Sequence, residues 1–121
     1  ILSSYKNHIH VNQGYTRCNL LALNENAFIT SDVAVVTRLA TSVHYSVLYI
    51  DPKQIKLEGQ KNGFFPGCCG IWKNNLIVCG STKYLKEKEE LDKFLKDNDF
   101  NLIELYDGEL IDVGSVFLIE N

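Results

Sequence analysis

Cysteine is the residue type in this chain with the widest chemical options, and there are four: Cys18, Cys68, Cys69 and Cys79. None forms a Cys-x-x-Cys pair and two are adjacent, which argues against a zinc site. A disulfide framework is also disfavoured, because 45% of the 121 residues are hydrophobic and supply a core without it. We therefore predict free thiols in a reducing compartment.

Cys18 is the first candidate nucleophile. A thiol reacts as its thiolate, and the adjacent Arg17 is a cation that would lower the pKa of Cys18 and could also bind a ligand. Neighbours along a strand point to opposite faces, however, so Arg17 need not reach the sulfur. The alternative is that Cys18, Cys69 and Ser115 are small packing residues at equivalent strand starts. Ser115 is also a candidate ligand contact.

The segment around Cys68 is the second candidate. Gly67 and Gly70 flank the two adjacent cysteines, and glycine lets the backbone approach a ligand or another strand closely. Cys68 could then act as a nucleophile with backbone N–H groups nearby, and the alternative is a simple bend. The long connection before it carries Phe64 and Phe65. We expect these rings either to contact a ligand or partner or to pack their own loop.

Two acidic residues complete the candidate site. If a guanidine group is bound, Asp32 and Asp112 are its natural partners, because a carboxylate pairs well with a guanidinium ion. Both are therefore candidate catalytic residues. The alternative role is structural, with Asp32 capping a helix and Asp112 bonding the backbone of the turn in which it lies.

Charge and composition exclude several classes of function. Lys and Arg total 12 against 15 Asp and Glu, and this net charge of −3 disfavours binding to nucleic acid. No apolar run approaches the roughly 18 residues that span a bilayer, so we predict a cytoplasmic protein with no membrane contact. His8 and His10 share a strand face but form only half of a metal site, and we predict no metal and no cofactor.

The elements that position these residues form a strand–hairpin–helix–strand unit that occurs twice. The first unit covers about 18–50 and the second about 69–106, with partial units at 1–17 and 112–121. The residues from Ala27 overlay those from Leu76 at an offset of 49. In the second unit Ser81 is predicted to cap a helix that runs to about Asp97. A period of this kind is typical of repeat proteins, in which one unit cannot bury its apolar face alone.

Four segments carry a resemblance to a known family. They are QGYTRC at 13–18, AFITSD at 27–32, GFFPGCCG at 63–70 and LIDVGS at 110–115. Together they resemble the penteins, the guanidine-group-modifying fold, and in particular the C-terminal half of an uncharacterised bacterial branch. The resemblance implies an α/β propeller of five units around a central funnel. Because the chain starts at Ile1 and lacks Met, we expect it to belong to a longer protein.

The resemblance leads to two main functional hypotheses. In catalytic penteins a Cys nucleophile follows a Gly-rich turn near the C-terminus, but neither His nor Cys follows the matching turn at 112–115. The first hypothesis is a funnel that binds or hydrolyses a small guanidine- or amide-containing molecule. The second is a non-catalytic structural or binding relative. A weaker third hypothesis is a partner-binding module. In each case an upstream segment or a second copy would cover the open edges of the ring.

Thiol reactivity separates the first two hypotheses. A catalytic cysteine has a lowered pKa and should react with iodoacetamide faster than a free model thiol does. If all four cysteines react no faster than the model thiol, a cysteine-nucleophile enzyme is excluded.

Overall fold

The structure is a computed structural model that describes residues 20–114. Its regular elements are β1 (Leu20–Ala22), β2 (Ala27–Thr30), α1 (Val33–Leu39), β3 (Ser46–Tyr49), β4 (Cys69–Trp72), β5 (Asn75–Val78), α2 (Lys88–Asp97) and β6 (Asn101–Glu104). Short 3-10 helices lie in the connections, at Pro52–Gln54, Phe65–Cys68 and Thr82–Tyr84. Over residues 20–114, no helix has the length and hydrophobicity needed to cross a membrane.

The described residues form two three-stranded sheets of identical topology. In the first sheet β1 pairs antiparallel with β2, and β2 pairs parallel with β3. In the second sheet β4 pairs antiparallel with β5, and β5 pairs parallel with β6. A parallel pair requires a crossover, which α1 provides in the first unit and α2 in the second. The molecule is therefore a small α/β protein built from two similar units.

Backbone hydrogen bonds fix which residues of the two units correspond. The Ser46 N–H donates to the Asn26 carbonyl at 2.7 Å, and the Asn101 N–H donates to the Asn74 carbonyl at 2.8 Å. Asn26 and Asn74 are 48 residues apart, so the sequence overlay at 49 was wrong by one position for these strands. The error matters because a shift of one residue exchanges the two faces of a strand.

The hydrophobic core lies between the two sheets. Ala27 and Ile29 contribute to it from one face of β2, and Leu76 and Val78 contribute from one face of β5. Between them lies α2, which contacts both β3 and β6 and buries two leucines. The two leucines are Leu91 and Leu95, and the other core members come from the connections and from the start of β4: Leu23, Ile50, Ile55, Phe65, Cys68, Cys69, Leu85 and Leu110.

The second helix begins later than the sequence predicts. Ser81 does accept a capping hydrogen bond from the Lys83 N–H, but it caps only the 3-10 helix at Thr82–Tyr84, and α2 starts at Lys88. The reason lies in Glu104 of β6, whose carboxylate accepts from the Thr82 N–H and from the Thr82 and Ser81 hydroxyl groups. These bonds hold the chain in a tight turn against the sheet before the helix can begin.

The Glu104 contacts make a pH-dependent contribution to stability. Partial burial would by itself raise the pKa of Glu104. The Thr82 N–H and the Thr82 and Ser81 hydroxyl groups outweigh that effect and lower the pKa below its ordinary value of 4.5. We expect Glu104→Gln to reduce the free energy of unfolding by about 1 kcal/mol at neutral pH, since the carboxylate is partly exposed and screened.

Urea denaturation as a function of pH measures this contribution. Because the folded-state pKa is the lower one, the contribution is complete above 4.5 and is lost as pH falls through the folded-state pKa. The stability difference between wild type and Glu104→Gln should therefore narrow in acid. The exposed loop variant Glu58→Gln is the control and should show no such narrowing. A Glu104→Gln difference that stays constant with pH contradicts the prediction.

Candidate functional site

Several sequence-predicted site residues meet where the connection between the two units contacts the segment after β6. The Asp112 N–H donates to the Lys56 carbonyl at 2.7 Å, and the Val113 N–H donates to the Gly67 carbonyl at 3.1 Å. Lys56 also forms a parallel bridge with Ile111. These backbone bonds bring Asp112 against residues 63–68, so that Cys68, Asp112, Phe64 and Phe65 lie in one place.

Both oxygens of the Asp112 carboxylate accept hydrogen bonds from backbone N–H groups. Oδ2 accepts from the Phe64 N–H at 3.0 Å, and Oδ1 accepts from the Gly114 N–H at 2.8 Å. Asp112 is only 7% exposed, so these bonds replace the water that a carboxylate otherwise requires. The second bond is the turn-stabilising role considered from the sequence, and the first ties the turn to the connection between the units.

Two glycines make room for this carboxylate. A Cβ atom on Gly63 would lie 2.4 Å from the Asp112 Cβ, and one on Gly67 would lie 1.9 Å from the Asp112 Oδ1. At either distance the backbone or the Asp112 side chain would have to move. The glycines of this segment therefore serve a close approach, and the group that approaches is the Asp112 side chain.

The two adjacent cysteines are buried and held as neutral thiols. Cys68 is 0% exposed and Cys69 is 2% exposed. Burial raises the pKa of the Cys68 thiol far above its ordinary value, and the nearby Asp112 carboxylate and Cys79 raise it further. Burial raises the pKa of Cys69 in the same way. The Cys69 Sγ–H donates to the Phe65 carbonyl at 3.3 Å. Thiols in this state are poor nucleophiles at neutral pH.

The two phenylalanines have different environments. Phe65 is 0% exposed and belongs to the core, and its N–H donates to the buried Ser31 hydroxyl group at 2.9 Å. Phe64 is half-buried, and its N–H is the donor to Asp112. Phe65 thus anchors the connection to the end of β2, whereas only Phe64 keeps part of its ring near the surface.

Asp32 lies at the start of α1 as its N-cap. Its Oδ1 accepts from the Ala34 N–H at 2.9 Å, and its own N–H donates to the Thr30 hydroxyl group at 3.0 Å. The preceding residue, Ser31, is the one that contacts Phe65. The capping role considered from the sequence is therefore present, next to the segment that joins the units.

The remaining candidates lie outside the described residues. These are Arg17, Cys18, Ser115 and the pair His8 and His10. The roles predicted for them stay predictions.

The sequence did not indicate that Tyr106 belongs to this region. Its hydroxyl group donates to the Glu109 carbonyl at 3.1 Å. Burial, followed by the nearby Cys79 and Cys68 thiols, raises the pKa of Tyr106. Cys79 lies opposite Cys68, since the Cys79 N–H donates to the Cys68 carbonyl at 2.8 Å. No spacing rule could place Tyr106 beside thiols so distant in the chain.

The geometry of this region favours structure over chemistry. Within residues 20–114 no group of three or more His, Cys, Asp or Glu residues could hold a metal ion. Two open surface hollows, of about 560 and 390 Å³, have linings that include none of Cys68, Asp112 or Phe64. The larger lies between residues 53–61 and Glu109, and the smaller lies at the end of α2.

Fold and site together define an α/β protein made of two strand–hairpin–helix–strand units, in which a buried carboxylate ties the connection between the units to the segment after β6. Residues 1–117 match the model of a family of unknown function, DUF6873, and the chain belongs to that family. No curated protein and no solved structure matches the chain.

A double-mutant cycle tests the close contact between the Asp112 carboxylate and Gly67. Gly67→Ala should reduce the free energy of unfolding by about 2 to 3 kcal/mol, because the new Cβ collides with the carboxylate. Asp112→Ala should cost about 2 kcal/mol, because it leaves two backbone N–H groups without their acceptor. The double variant should lose at least about 1 kcal/mol less than the sum, since removal of the carboxylate removes the collision.

Gly59→Ala is the matched control for this cycle. An added Cβ at Gly59 would have no atom within 4 Å. Because Gly59 has a φ of +80°, Gly59→Ala should still reduce the free energy of unfolding by about 1 kcal/mol through backbone strain. That cost should add to the cost of Asp112→Ala without coupling. Urea denaturation gives the free energy of unfolding of the wild type, the three single variants and the two double variants. If the costs of Gly67→Ala and Asp112→Ala simply add, the Asp112 carboxylate does not lie against Gly67 as described.

Proposed function

We propose that this chain is a non-catalytic member of the pentein-like fold, in which the unit pair serves as a scaffold. The observation that carries this proposal is that the Asp112 carboxylate and the Cys68 thiol are both occupied within the structure. Both oxygens of the Asp112 carboxylate accept backbone N–H groups, and the Cys68 thiol is fully buried. Groups engaged in this way stabilise the connection between the units and are not presented to a substrate.

Electrostatics support the same proposal. A catalytic thiol requires a lowered pKa, which an adjacent cation or helix N-terminus supplies. The charged neighbour of Cys68 is instead the carboxylate of Asp112, which together with burial raises the pKa of the thiol. An acid that would bind a guanidinium ion must offer free lone pairs along its edge. In Asp112 each oxygen already accepts one backbone N–H, and the side chain is almost completely buried.

The repeat topology supports the pentein-like assignment. Each unit has an antiparallel hairpin followed by a helix and a strand parallel to the second hairpin strand. The resemblance implies that such units follow one another around an axis, and α2 already bridges two successive sheets. The matching C-terminal turn has no His or Cys after it. A ring that keeps its scaffold without the nucleophile fits these observations.

Alkylation mapped by mass spectrometry tests the proposal. The native chain is treated with iodoacetamide near neutral pH, and the rate at each cysteine is compared with that of free glutathione. We expect Cys68 and Cys69 to react more than about tenfold more slowly than glutathione, because both are buried and protonated. The half-buried Cys79 is the internal comparison. After unfolding in urea, all sites should react at similar rates.

The opposite result has a clear meaning. If Cys68 or Cys18 in the native chain reacts faster than glutathione, the chain carries an activated thiol and the scaffold proposal is wrong. Protection of Cys68 that disappears in Asp112→Ala, with the fold retained by circular dichroism, would still support a structural role for the carboxylate.

A further inference from the structure

Corresponding hydrogen bonds in the two units identify a pair of equivalent residues that differ in their exposure to solvent. The Ile50 N–H donates to the Thr30 carbonyl at 2.9 Å, and the Leu105 N–H donates to the Val78 carbonyl at 3.0 Å. Ile50 and Leu105 therefore occupy the same position in successive units. Ile50 is 0% exposed, whereas Leu105 is 54% exposed.

The same contrast holds two residues earlier on the same face. Leu48 of β3 pairs with Ile29, and Ile103 of β6 pairs with Ile77, in the corresponding register. Leu48 packs against the hydrophobic core, whereas Ile103 is 42% exposed. We define Ile103 and Leu105 as the β6 surface. It is an apolar strip that corresponds, residue for residue, to a strip that is covered in the first unit.

The structure shows what covers the strip in the first unit. It is the helix of the next unit, because α2 contacts β3 as well as its own β6. The residue before α2 reinforces this contact, since the Asp51 N–H donates to the Glu87 Oε2 at 3.0 Å. Each sheet is thus built to receive the helix of the unit that follows.

Within residues 20–114, the helix of the first unit makes no contact that matches this one. Within α2, Leu91 and Leu95 are buried, but α1 buries none of its residues. Val33, the first residue of α1, is 62% exposed. Val36 lies one turn further on the same side and is half-buried. We define Val33 and Val36 as the α1 surface. It corresponds in position to the helix that fills the strip on β3.

We propose that the α1 surface of a second copy of this chain covers the β6 surface, in a head-to-tail contact. The contact repeats between chains the helix-on-sheet packing that already joins the two units within one chain. It is heterologous, because the two surfaces differ, and each chain offers one of each. Successive copies can therefore add in the same sense until a ring closes. Such an assembly is compatible with a catalytic or a non-catalytic chain.

Sedimentation equilibrium and light scattering of the 121-residue chain test the proposal. We expect masses above that of the monomer, increasing with concentration. Leu105→Asp removes the β6 surface, and Val33→Asp removes the α1 surface. Each should weaken self-association about 10- to 100-fold, because the free energy of burying one such side chain corresponds to a change of that size in affinity. An acidic residue in the first turn of α1, which has none, is compatible with the helix dipole.

A mixing experiment identifies the head-to-tail geometry. Leu105→Asp retains the α1 surface and Val33→Asp retains the β6 surface, so an equimolar mixture should form a heterodimer that stops at two chains. The control is Ile71→Asp, an exposed apolar residue on the opposite face of the second sheet. It should associate like wild type. Thermal unfolding of each variant verifies that the fold is retained.

Three results would overturn the proposal. The first is a wild-type chain that remains monomeric at its highest soluble concentration. The second is a loss of association in Ile71→Asp as large as in Leu105→Asp. The third is failure of the two single variants to associate on mixing while both remain folded. None of these results alters the thiol reactivities, so this proposal and the scaffold proposal can fail independently.

Discussion

The described structure depends on one buried carboxylate. Asp112 comes after β6, yet it accepts a backbone hydrogen bond from Phe64, 48 residues earlier in the chain, in the connection between the two units. A buried carboxylate is costly unless it accepts hydrogen bonds, and here each oxygen accepts one from a backbone N–H group. The requirement fixes its surroundings, because Gly63 and Gly67 must lack side chains for the carboxylate to fit. Together with the backbone bonds at Lys56 and Gly67, these contacts tie the connection to the segment after β6.

The connection is also held against the first sheet. The same connection places Phe65 in the core and joins its N–H to Ser31 at the end of β2. The Ile111 N–H then donates to the Cys79 carbonyl, which holds the last described segment against the end of β5. Between the sheets lies α2, which contacts both β3 and β6. The two units therefore pack through the hydrogen bonds of the connection at one end and through the hydrophobic core around α2 in the middle.

Sequence patterns predicted the local elements well and the long-range joint poorly. The strands Ala27–Thr30 and Cys69–Trp72 and their hairpins lie within the predicted units at 18–50 and 69–106, because hairpins depend on residues close in sequence. The start of α2 was wrong, since Glu104, more than twenty residues away, determines the turn at Ser81. For Asp112 the sequence showed an acid before a glycine turn, and it offered both a structural and a ligand-binding role. Only the fold shows that its second partner is Phe64.

The position of Asp112 also bears on which chemistry this scaffold permits. A nucleophile at Cys68 would have to ionise beside a carboxylate in a dry environment, and both factors oppose the thiolate. Removing the carboxylate would relieve the repulsion but would also break the joint that holds residues 63–68 in place. Scaffold and nucleophile therefore make opposite demands on the same few atoms. Both demands are avoided by a thiol that lies away from residues 63–68 and 112.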